Sequence, residues 1–540
     1  MGLILDLDAL AHPGKRQPVF APHGVVATSQ PLASQAGIDM LRRGGNAVDA
    51  ALAAGIALTV VEPASNSIGG DTLAFVWDGE RLHGLNGTGR APAALTLEEM
   101  RRRGHEQMPL HHWSTVTVPG TPLVWRDLHE RFGRLPFETL FIAAIEYAER
   151  GYPVPPISQR GWRNALERIH TGLTGDEFAE LPVAFAPEGR APHVGEVWRN
   201  PEMARTLRLI AETKADAFYR GEIAERMVDF AARTGGFLAA DDLARHTSDW
   251  VEPITTSYRG YDVWEMPPRT QGLAVLLALN ILEGWDLSQS PRDSVDSFHW
   301  QLEAMKLAFA DAHHYVADPA HASIPVEELL SKSYAARRRA LIGEHALLAE
   351  VGDPQGSDTI YLCAADGDGM MVSFIQSTFH AFGAHIVVPG TGFPLQNRGH
   401  GFPLSERHAN RLAPGKRPFH TLIPGFLTHA GRAVGPFGVM GGHMQPQGHV
   451  QMMVNTLDYA MDPQSSLGAP RWSWRDGRLV KLESGAASLA GELRARGHEV
   501  EVDAEVDWAG RGQIIWRLSG ETGGYIAGSE PRADGQAAGY

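Results

Sequence analysis

The chain has 540 residues, 43% of them hydrophobic, which is ample for a large core. Acidic residues outnumber basic ones by 63 to 48, for a net charge of −15, so nucleic acid and anionic membranes, which select a basic face, are poor candidates for partners. A single cysteine, Cys363, excludes an intrachain disulfide framework and fits a reducing compartment.

The N-terminal stretch "MGLILDLDALAHPGKRQPVF" has no basic segment followed by an apolar one. Asp6 and Asp8 interrupt its apolar run, so no secretory signal is expected. No uncharged run approaches the ~18 apolar residues of a membrane span, and cytoplasm is the expected compartment. Residues 27 to 63 read as two helices. The first carries Leu32, Ala36, Ile38, Met40 and Leu41 on a helical period and ends at Gly44-Gly45. The second starts at Asn46 as N-cap, is apolar nearly all round, and stops before Pro63. Leu73–Trp77 and Leu82–Leu85 read as a hairpin turning at Asp78-Gly79. A helical middle follows from about 120 to 350, strands return from 359, and 449–461 reads as a buried helix. The string "HANRLAPGKRP" (408–418) reads as an exposed loop. The block order β, α, β, α points to sheets layered with helices.

One stretch raises a chemical question. "QGSDTIYLCAADGDGMMVSFIQS" (355–377) sets a loose polar lead-in before Thr359, then two strand-like runs split by Asp366-Gly367-Asp368-Gly369. With a two-residue tip at Gly367-Asp368, Thr359 faces Gln376 and Ser377 lies beside it. A slip of one register makes Ser377 the direct partner. Either pairing sets a second hydroxyl next to the first. A threonine hydroxyl needs a base to act as nucleophile. An N-terminal threonine carries its own, the α-amine, which in simple peptides titrates at about 7.7–8. A cut between Asp358 and Thr359 would create it. Ordinary β-propensity also accounts for a threonine at a strand start.

Other stretches decide between these readings. "GVVATSQPLASQAGIDMLRRGGNAVDAALAAGIALTVVEPASNSIGGD" (24–71), "VTVPGTPLVW" (116–125), "FGRLPFETLFIAAIEYAERGYPV" (132–154), "AFYRGEIAERMVDFAARTGGFLAADDLA" (217–244), "SYRGYDVWEMPPRTQG" (257–272) and "KRPFHTLIPGF" (416–426) resemble the γ-glutamyltransferase family, in order and over nearly the whole chain. The resemblance implies an α+β architecture, the N-terminal nucleophile hydrolase fold, a four-layer αββα sandwich. It implies a precursor that cuts itself into a large subunit, 1–358, and a small subunit, 359–540. "TIYLCAAD" resembles the segment that opens the small subunit, which makes Thr359 the nucleophile, and Ser377 falls at the family's second hydroxyl. "MGGHMQ" resembles the oxyanion-stabilising glycine pair, here Gly441 and Gly442. "NGTGRAPAALT" resembles the segment whose arginine grips the substrate carboxylate, here Arg90, whose fork suits that group.

The chain also departs from the family. "LQNRGHGF" sets Arg398 where the family has a glutamate and Gly401 where it has an aspartate, the acids that hold the substrate ammonium. Phe379 replaces a substrate-binding asparagine. His420 and Thr421 stand where two serines contact the carboxylate. The segment from Arg398 to Lys416 is shorter than in lidded members, so a closing lid is not expected. An arginine in place of an acid repels an ammonium and attracts an anion.

The histidines form no metal motif of the HExxH kind. "RGGNAVDAA" lacks the GxxxxGK[ST] spacing of a phosphate loop, and "DGDG" lacks the terminal glutamate of a calcium loop. No metal and no cofactor are expected. His420 and His443 neighbour matched positions and are candidates for the pocket lining. Cys363 reads as a small core hydrophobe. The resemblance implies acyl transfer from glutathione or another γ-glutamyl amide to water or an amine. The departures favour an alternative, an amidohydrolase for an amine-free carboxylate amide of the glutaryl or oxamate type. A non-catalytic, unprocessed homologue is the reading from another class. The expected partners are a small-molecule amide and the precursor's own two subunits, and a homodimer of processed heterodimers stays open.

Overall fold

The computed structural model describes residues 16–169, 173–348, 358–518 and 523–540. The lead-in 355–357 and the N-terminal stretch 1–15 lie outside the described residues.

Two seven-stranded sheets stack face to face. The first runs, in spatial order, Gln536–Gly539, Val25–Thr28, Asp358–Ala365, Met371–Phe379, Asp71–Trp77, Leu82–Asn86 and Asp249–Val251. The second runs Val19–Ala21, Tyr525–Ser529, Arg511–Arg517, Arg432–Met440, Gly425–His429, Tyr261–Glu265 and Ile254–Tyr258. All pairings within both are antiparallel.

Alternation along the strands feeds two cores at once. In Asp358–Ala365, Ile360, Leu362 and Ala364 join the core beneath the first helical layer. Tyr361, Cys363 and Ala365 point the other way, into the core between the sheets. Helices α1 (Pro31–Arg42) and α2 (Ala47–Val61) cover the first sheet. Helices α3 (Gly272–Leu282), α4 (Val295–Tyr315) and α5 (Met444–Leu457) build the layer outside the second. The result is a helix–sheet–sheet–helix sandwich, the expected four layers.

Local chemistry explains the elements. Helix α2 is held by the expected N-cap. Asn46 Oδ1 accepts from the Val48 and Asp49 N–H groups at 3.1 Å each, and the Asp49 carboxylate accepts from Asn46 N–H at 3.0 Å. Every residue of α2 is buried, as its all-round apolar sequence requires. The first hairpin pairs Trp77 with Leu82 over a four-residue loop, with the Asp78 carboxylate accepting from the Glu80 and Arg81 N–H groups.

Three expectations change. The hairpin at Thr359 has a longer tip than two residues. Ala365 pairs with Met371, Asp366 N–H donates to Met370 C=O at 3.1 Å, and Gly369 takes φ +92°. The Asp366 carboxylate causes this by accepting from the Asp368 and Met370 N–H groups at 2.9 and 3.0 Å. The register is therefore the slipped one, Ile360 opposite Gln376. The buried helix expected at 449–461 starts at Met444 and ends at Leu457. Pro446 falls in its first turn, where a missing N–H costs nothing. The expected exposed loop 408–418 is exposed only in part. Asn410, Leu412, Lys416 and Arg417 are buried, and Lys416 Nζ donates back to the Ala409 and Arg411 carbonyls.

Helix α2 approaches the first sheet at a glycine. A Cβ on Gly55 would lie 2.9 Å from Phe374 Cε1. Gly55→Val should destabilise the protein by about 1–3 kcal/mol through overpacking, read as a lower denaturant midpoint, and an unchanged midpoint would show that the layer can shift.

Candidate active site

Thr359 sits where the hairpin ladder breaks. Asp358 pairs with Phe379 and Ile360 with Gln376, so Ser377 and Thr378 both lie opposite Thr359 in a β-bulge. Thr359 Oγ1 donates to Ser377 Oγ at 3.1 Å, and Ser377 Oγ accepts from Phe379 N–H at 2.8 Å. Both hydroxyl residues are fully buried. Gly70 makes room for this strand, since a Cβ there would lie 2.4 Å from the Ser377 carbonyl oxygen.

Phe379 ends the strand with φ +80°, a conformation a bulky side chain rarely adopts. The Ser377 bond holds its N–H, and the Arg398 guanidinium lies 4.1 Å from its ring centroid. Arg398 is 1% exposed. Its Nη1 donates to Thr421 Oγ1 at 2.8 Å, while Nε and Nη2 are buried without a partner. Burial pushes this guanidinium down to about 9, against the pull of the Asp71 carboxylate. A buried cation with unused donors calls for an anion.

Arg398, Phe379 and Thr421 line a cavity of about 430 Å³ with Gly401, Phe419 and five histidines, His313, His380, His400, His408 and His443. No aspartate or glutamate is among its lining residues. Burial holds His380 and His443 at about 3 and His313 at about 4, so these rings are neutral near pH 7. Pro403, His408 and Asn410, from the segment after Arg398, form part of the wall.

Gly441 and Gly442 follow the strand Arg432–Met440 with φ +119° and +59°, angles that favour glycine. Their carbonyls accept from the Met444 and Gln445 N–H groups at the start of α5. Gln271 Nε2 joins the carbonyls of Gly442 and Thr421, at 2.8 and 2.6 Å, which fastens the glycine pair to the cavity wall.

Contacts thus link Thr359, Ser377, Phe379, Arg398 and Thr421 in series, and Gln271 joins Thr421 to Gly442. Two expected residues are not among the lining residues of the Arg398 cavity. Arg90 lines a different cavity, beside Asp249 and Val251 and not beside Phe379. His420 turns away from the acyl cavity. Its Nε2 meets Asp71 Oδ2 at 3.0 Å and its Nδ1 accepts from Leu422 N–H at 3.2 Å, so both nitrogens are used. Burial and the Arg398 charge push it down to about 3, so the ring is neutral and donates to Asp71.

Asp71 is the residue that sequence reading missed. It opens its strand opposite Ser377, fully buried, and its carboxylate accepts from Gly89 N–H, Gln396 Nε2 and His420 Nε2 at 2.9, 2.9 and 3.0 Å. Burial alone would raise its carboxyl, but the His420 hydrogen bond and the Arg398 charge hold it below the usual range. The acid after Gly69-Gly70 at the head of an apolar strand was the available signal.

Among the described residues, one group could hold a metal ion, His299, Glu303 and His498, with ligand atoms within 4.8 Å of one another. The Lys306 ammonium already sits 2.7 Å from Glu303 Oε1, so an ion pair within α4 occupies the cluster, which His498 joins from outside that helix.

Comparison with known proteins places this geometry in a family. The model of the family described as gamma-glutamyltranspeptidase matches residues 33–540. The chain belongs to the γ-glutamyltranspeptidase family. It is an enzyme of that family, and its four layers are those of the N-terminal nucleophile hydrolase fold. It is 38% identical to the glutathione hydrolase-like YwrD proenzyme of Bacillus subtilis, over 97% of this chain and 99% of that protein. It is 34% identical to the oxamate amidohydrolase proenzyme of Klebsiella pneumoniae, over 96% and 98%. Its structure resembles the crystal structure of a cephalosporin acylase from Bacillus halodurans, with a TM-score of 0.94, 51% identity and 98% of each chain covered. No helix among the described residues is long and apolar enough to cross a membrane.

Asp71→Asn swaps one acceptor for a donor where three donors converge. It should lower stability by about 1–3 kcal/mol, the cost of a buried unsatisfied group, and a melting curve that matches wild type would remove Asp71 from the framework.

Proposed function

We propose that this chain is a self-processing amidohydrolase whose acyl pocket selects a carboxylate without a neighbouring ammonium, as in a glutaryl amide. The observation that carries the reading is Arg398, buried, with two unpartnered donor groups, in a cavity lined by no carboxylate. A γ-glutamyl group would bring an ammonium into that cavity beside a guanidinium. At 4 Å and an effective dielectric of 20, such a like-charge pair costs about 4 kcal/mol. An amine-free acyl group avoids the cost and supplies the missing anion.

The chemistry follows from the Thr359 cluster. In the precursor, Thr359 Oγ attacks the Asp358 carbonyl, the peptide shifts to an ester, and water hydrolyses it. The large subunit then ends at Asp358 and the small subunit begins at Thr359. The freed α-amine takes the Thr359 hydroxyl proton as Oγ attacks the substrate amide. The N–H groups of Gly441 and Gly442 stabilise the tetrahedral oxyanion. The amine returns the proton to the leaving nitrogen, and water or an amine acceptor releases the acyl group from Oγ. Ser377, which accepts the Thr359 hydroxyl hydrogen bond, orients the nucleophile. The names of two relatives, an oxamate amidohydrolase and a cephalosporin acylase, agree with an acyl group other than γ-glutamyl, while the YwrD relative is named glutathione hydrolase-like.

Purified protein should run as two bands, and the smaller should begin Thr-Ile-Tyr-Leu. Thr359→Ala should stay a single inactive chain, and any other N-terminus rejects Thr359 as nucleophile. Ser377→Ala should slow cleavage or turnover with the fold intact, and wild-type rates for both would take Ser377 out of the site.

The acyl-group reading is tested by the ratio of kcat/KM for matched glutaryl and γ-glutamyl amides. Wild type should favour the glutaryl amide, and Arg398→Met should lower its kcat/KM by about 10–100-fold, the worth of a charged hydrogen bond. A Cβ on Gly401 meets only the Phe419 carbonyl oxygen, at 3.6 Å, so Gly401→Asp fits and should move the ratio toward γ-glutamyl. A wild-type ratio that strongly favours γ-glutamyl would reject the acyl-group reading while leaving the nucleophile untouched.

A further inference from the structure

The strand Met371–Phe379 sends Val372 and Phe374 into the core under α2 and Ile375 into the core between the sheets. By the same alternation Gln376 faces the helices and Ser377 faces the other way. Gln376 is fully buried, on a face whose preceding residues are apolar. Packing alone would be served there by methionine or leucine, since a buried amide costs free energy unless it is hydrogen-bonded.

This amide is bonded at both ends. Its Nε2 donates to Asn66 Oδ1 at 2.6 Å, and its Oε1 accepts from Thr72 Oγ1 and Trp125 Nε1 at 3.2 Å each. Asn66 Nδ2 in turn donates to the Leu58 and Glu62 carbonyls at the end of α2, at 3.0 and 2.9 Å. Thr121, which opens the helix Thr121–Phe132, sets its Oγ1 2.9 Å from Thr72 Oγ1. An indole N–H only donates and a carbonyl only accepts, so neither amide can flip. Asn66, Thr72, Thr121 and Trp125 are all buried. Gln376 thus ties its strand to α2, to the neighbouring strand and to a second helix at one point.

The bulge starts at the next residue. Gln376 opposite Ile360 is the last regular pair, and Ser377 and Thr378 share the place opposite Thr359. Both carry hydroxyls, and an extra residue disrupts the ladder that would choose between them. Ser377 is the one that meets Thr359, while Thr378 Oγ1 donates to the His380 carbonyl at 3.1 Å. A slip of one residue would bring Ile375 or Ser377 into the place of Gln376, and neither has an amide to complete the network.

We propose that Gln376 is a positioning residue that acts through Ser377. Its network fixes the strand from the helix side, so that the next residue brings its hydroxyl to Thr359. The inference rests on the reading of Thr359 as nucleophile and Ser377 as its orienting partner. Gln376 is not among the lining residues of the Arg398 cavity, so its effect falls on the chemical steps and not on substrate binding.

The test is a double-mutant cycle of Gln376→Met and Ser377→Ala on the full chain. The readouts are the rate of self-cleavage, kcat and KM per cleaved chain, and the denaturant midpoint. Gln376→Met alone should lower the cleavage rate and kcat by about tenfold, the worth of a hydrogen bond, with KM within about twofold. In the Ser377→Ala background the same change should alter both rates by less than about twofold, while the midpoint falls equally in both backgrounds. A rate loss of the same size in both backgrounds, or wild-type rates in Gln376→Met, overturns the proposal. Wild-type rates in Ser377→Ala alone would reject the role of Ser377 and this route with it, a pattern distinct from the other two. Should Gln376→Met not fold, Thr72→Val removes one donor to Gln376 Oε1 and keeps the volume. Its rate loss should likewise vanish in the Ser377→Ala background, and a loss that persists there overturns the proposal.

Discussion

A single buried carboxylate organises the centre of this enzyme. Asp71 carries its charge where no water reaches, and a charge so placed is stable only if its lone pairs are filled. It fills them from three separate segments, the loop at Gly89, the segment at Gln396 and the turn at His420. Its own backbone pairs with Ser377, the hydroxyl beside Thr359. Pieces of chain more than three hundred residues apart are thereby held to one geometry by an electrostatic demand. The neutral His420 belongs to the same arrangement, as a donor that faces the carboxylate and leaves the acyl pocket to others.

The pocket at Arg398 shows a different condition, a buried guanidinium with two unpartnered donors whose charge meets Asp71 without a hydrogen bond. Arg398 stacks on Phe379, bonds Thr421, and has no carboxylate beside it in the cavity. His313, His380 and His443 are neutral and aromatic, so they shape the cavity without supplying counter-charge. On the proposed reading, specificity comes from what is missing, since a site without an acid gives an ammonium nothing to hold. The segment after Arg398 supplies part of the wall, through Pro403, His408 and Asn410.

Much of this was legible in the sequence. The layered fold, the α2 cap at Asn46, the adjacency of Thr359 and Ser377, and the cation at Arg398 all rest on local chemistry or on motifs that can be read in order. The hairpin register was open because it turns on one side chain, Asp366, whose bonds to two N–H groups widen the tip. That Arg90 and His420 do not line the Arg398 cavity has a different reason. Motif position locates a residue along the chain, but the direction of a side chain depends on distant partners, as Asp71 shows for His420. Asp71 offered only its place after Gly69-Gly70 at the head of an apolar strand, and an acid there looks solvated until its three donors are known.

The order of the first sheet has a consequence for chain integrity. The strand that begins with Asp358 and Thr359 lies between Val25–Thr28 and Met371–Phe379, and the C-terminal strand Gln536–Gly539 pairs with the far edge of Val25–Thr28. Segments from before and after residue 358 therefore alternate through one hydrogen-bonded ladder, like fingers of two clasped hands. A cut there would release no fragment, because neither piece owns a complete sheet. Covalent continuity would matter for the first assembly and not for persistence. A processed molecule that once unfolded would have to find its other half in solution, so its durability would be set by how slowly it opens and not by how readily it re-forms.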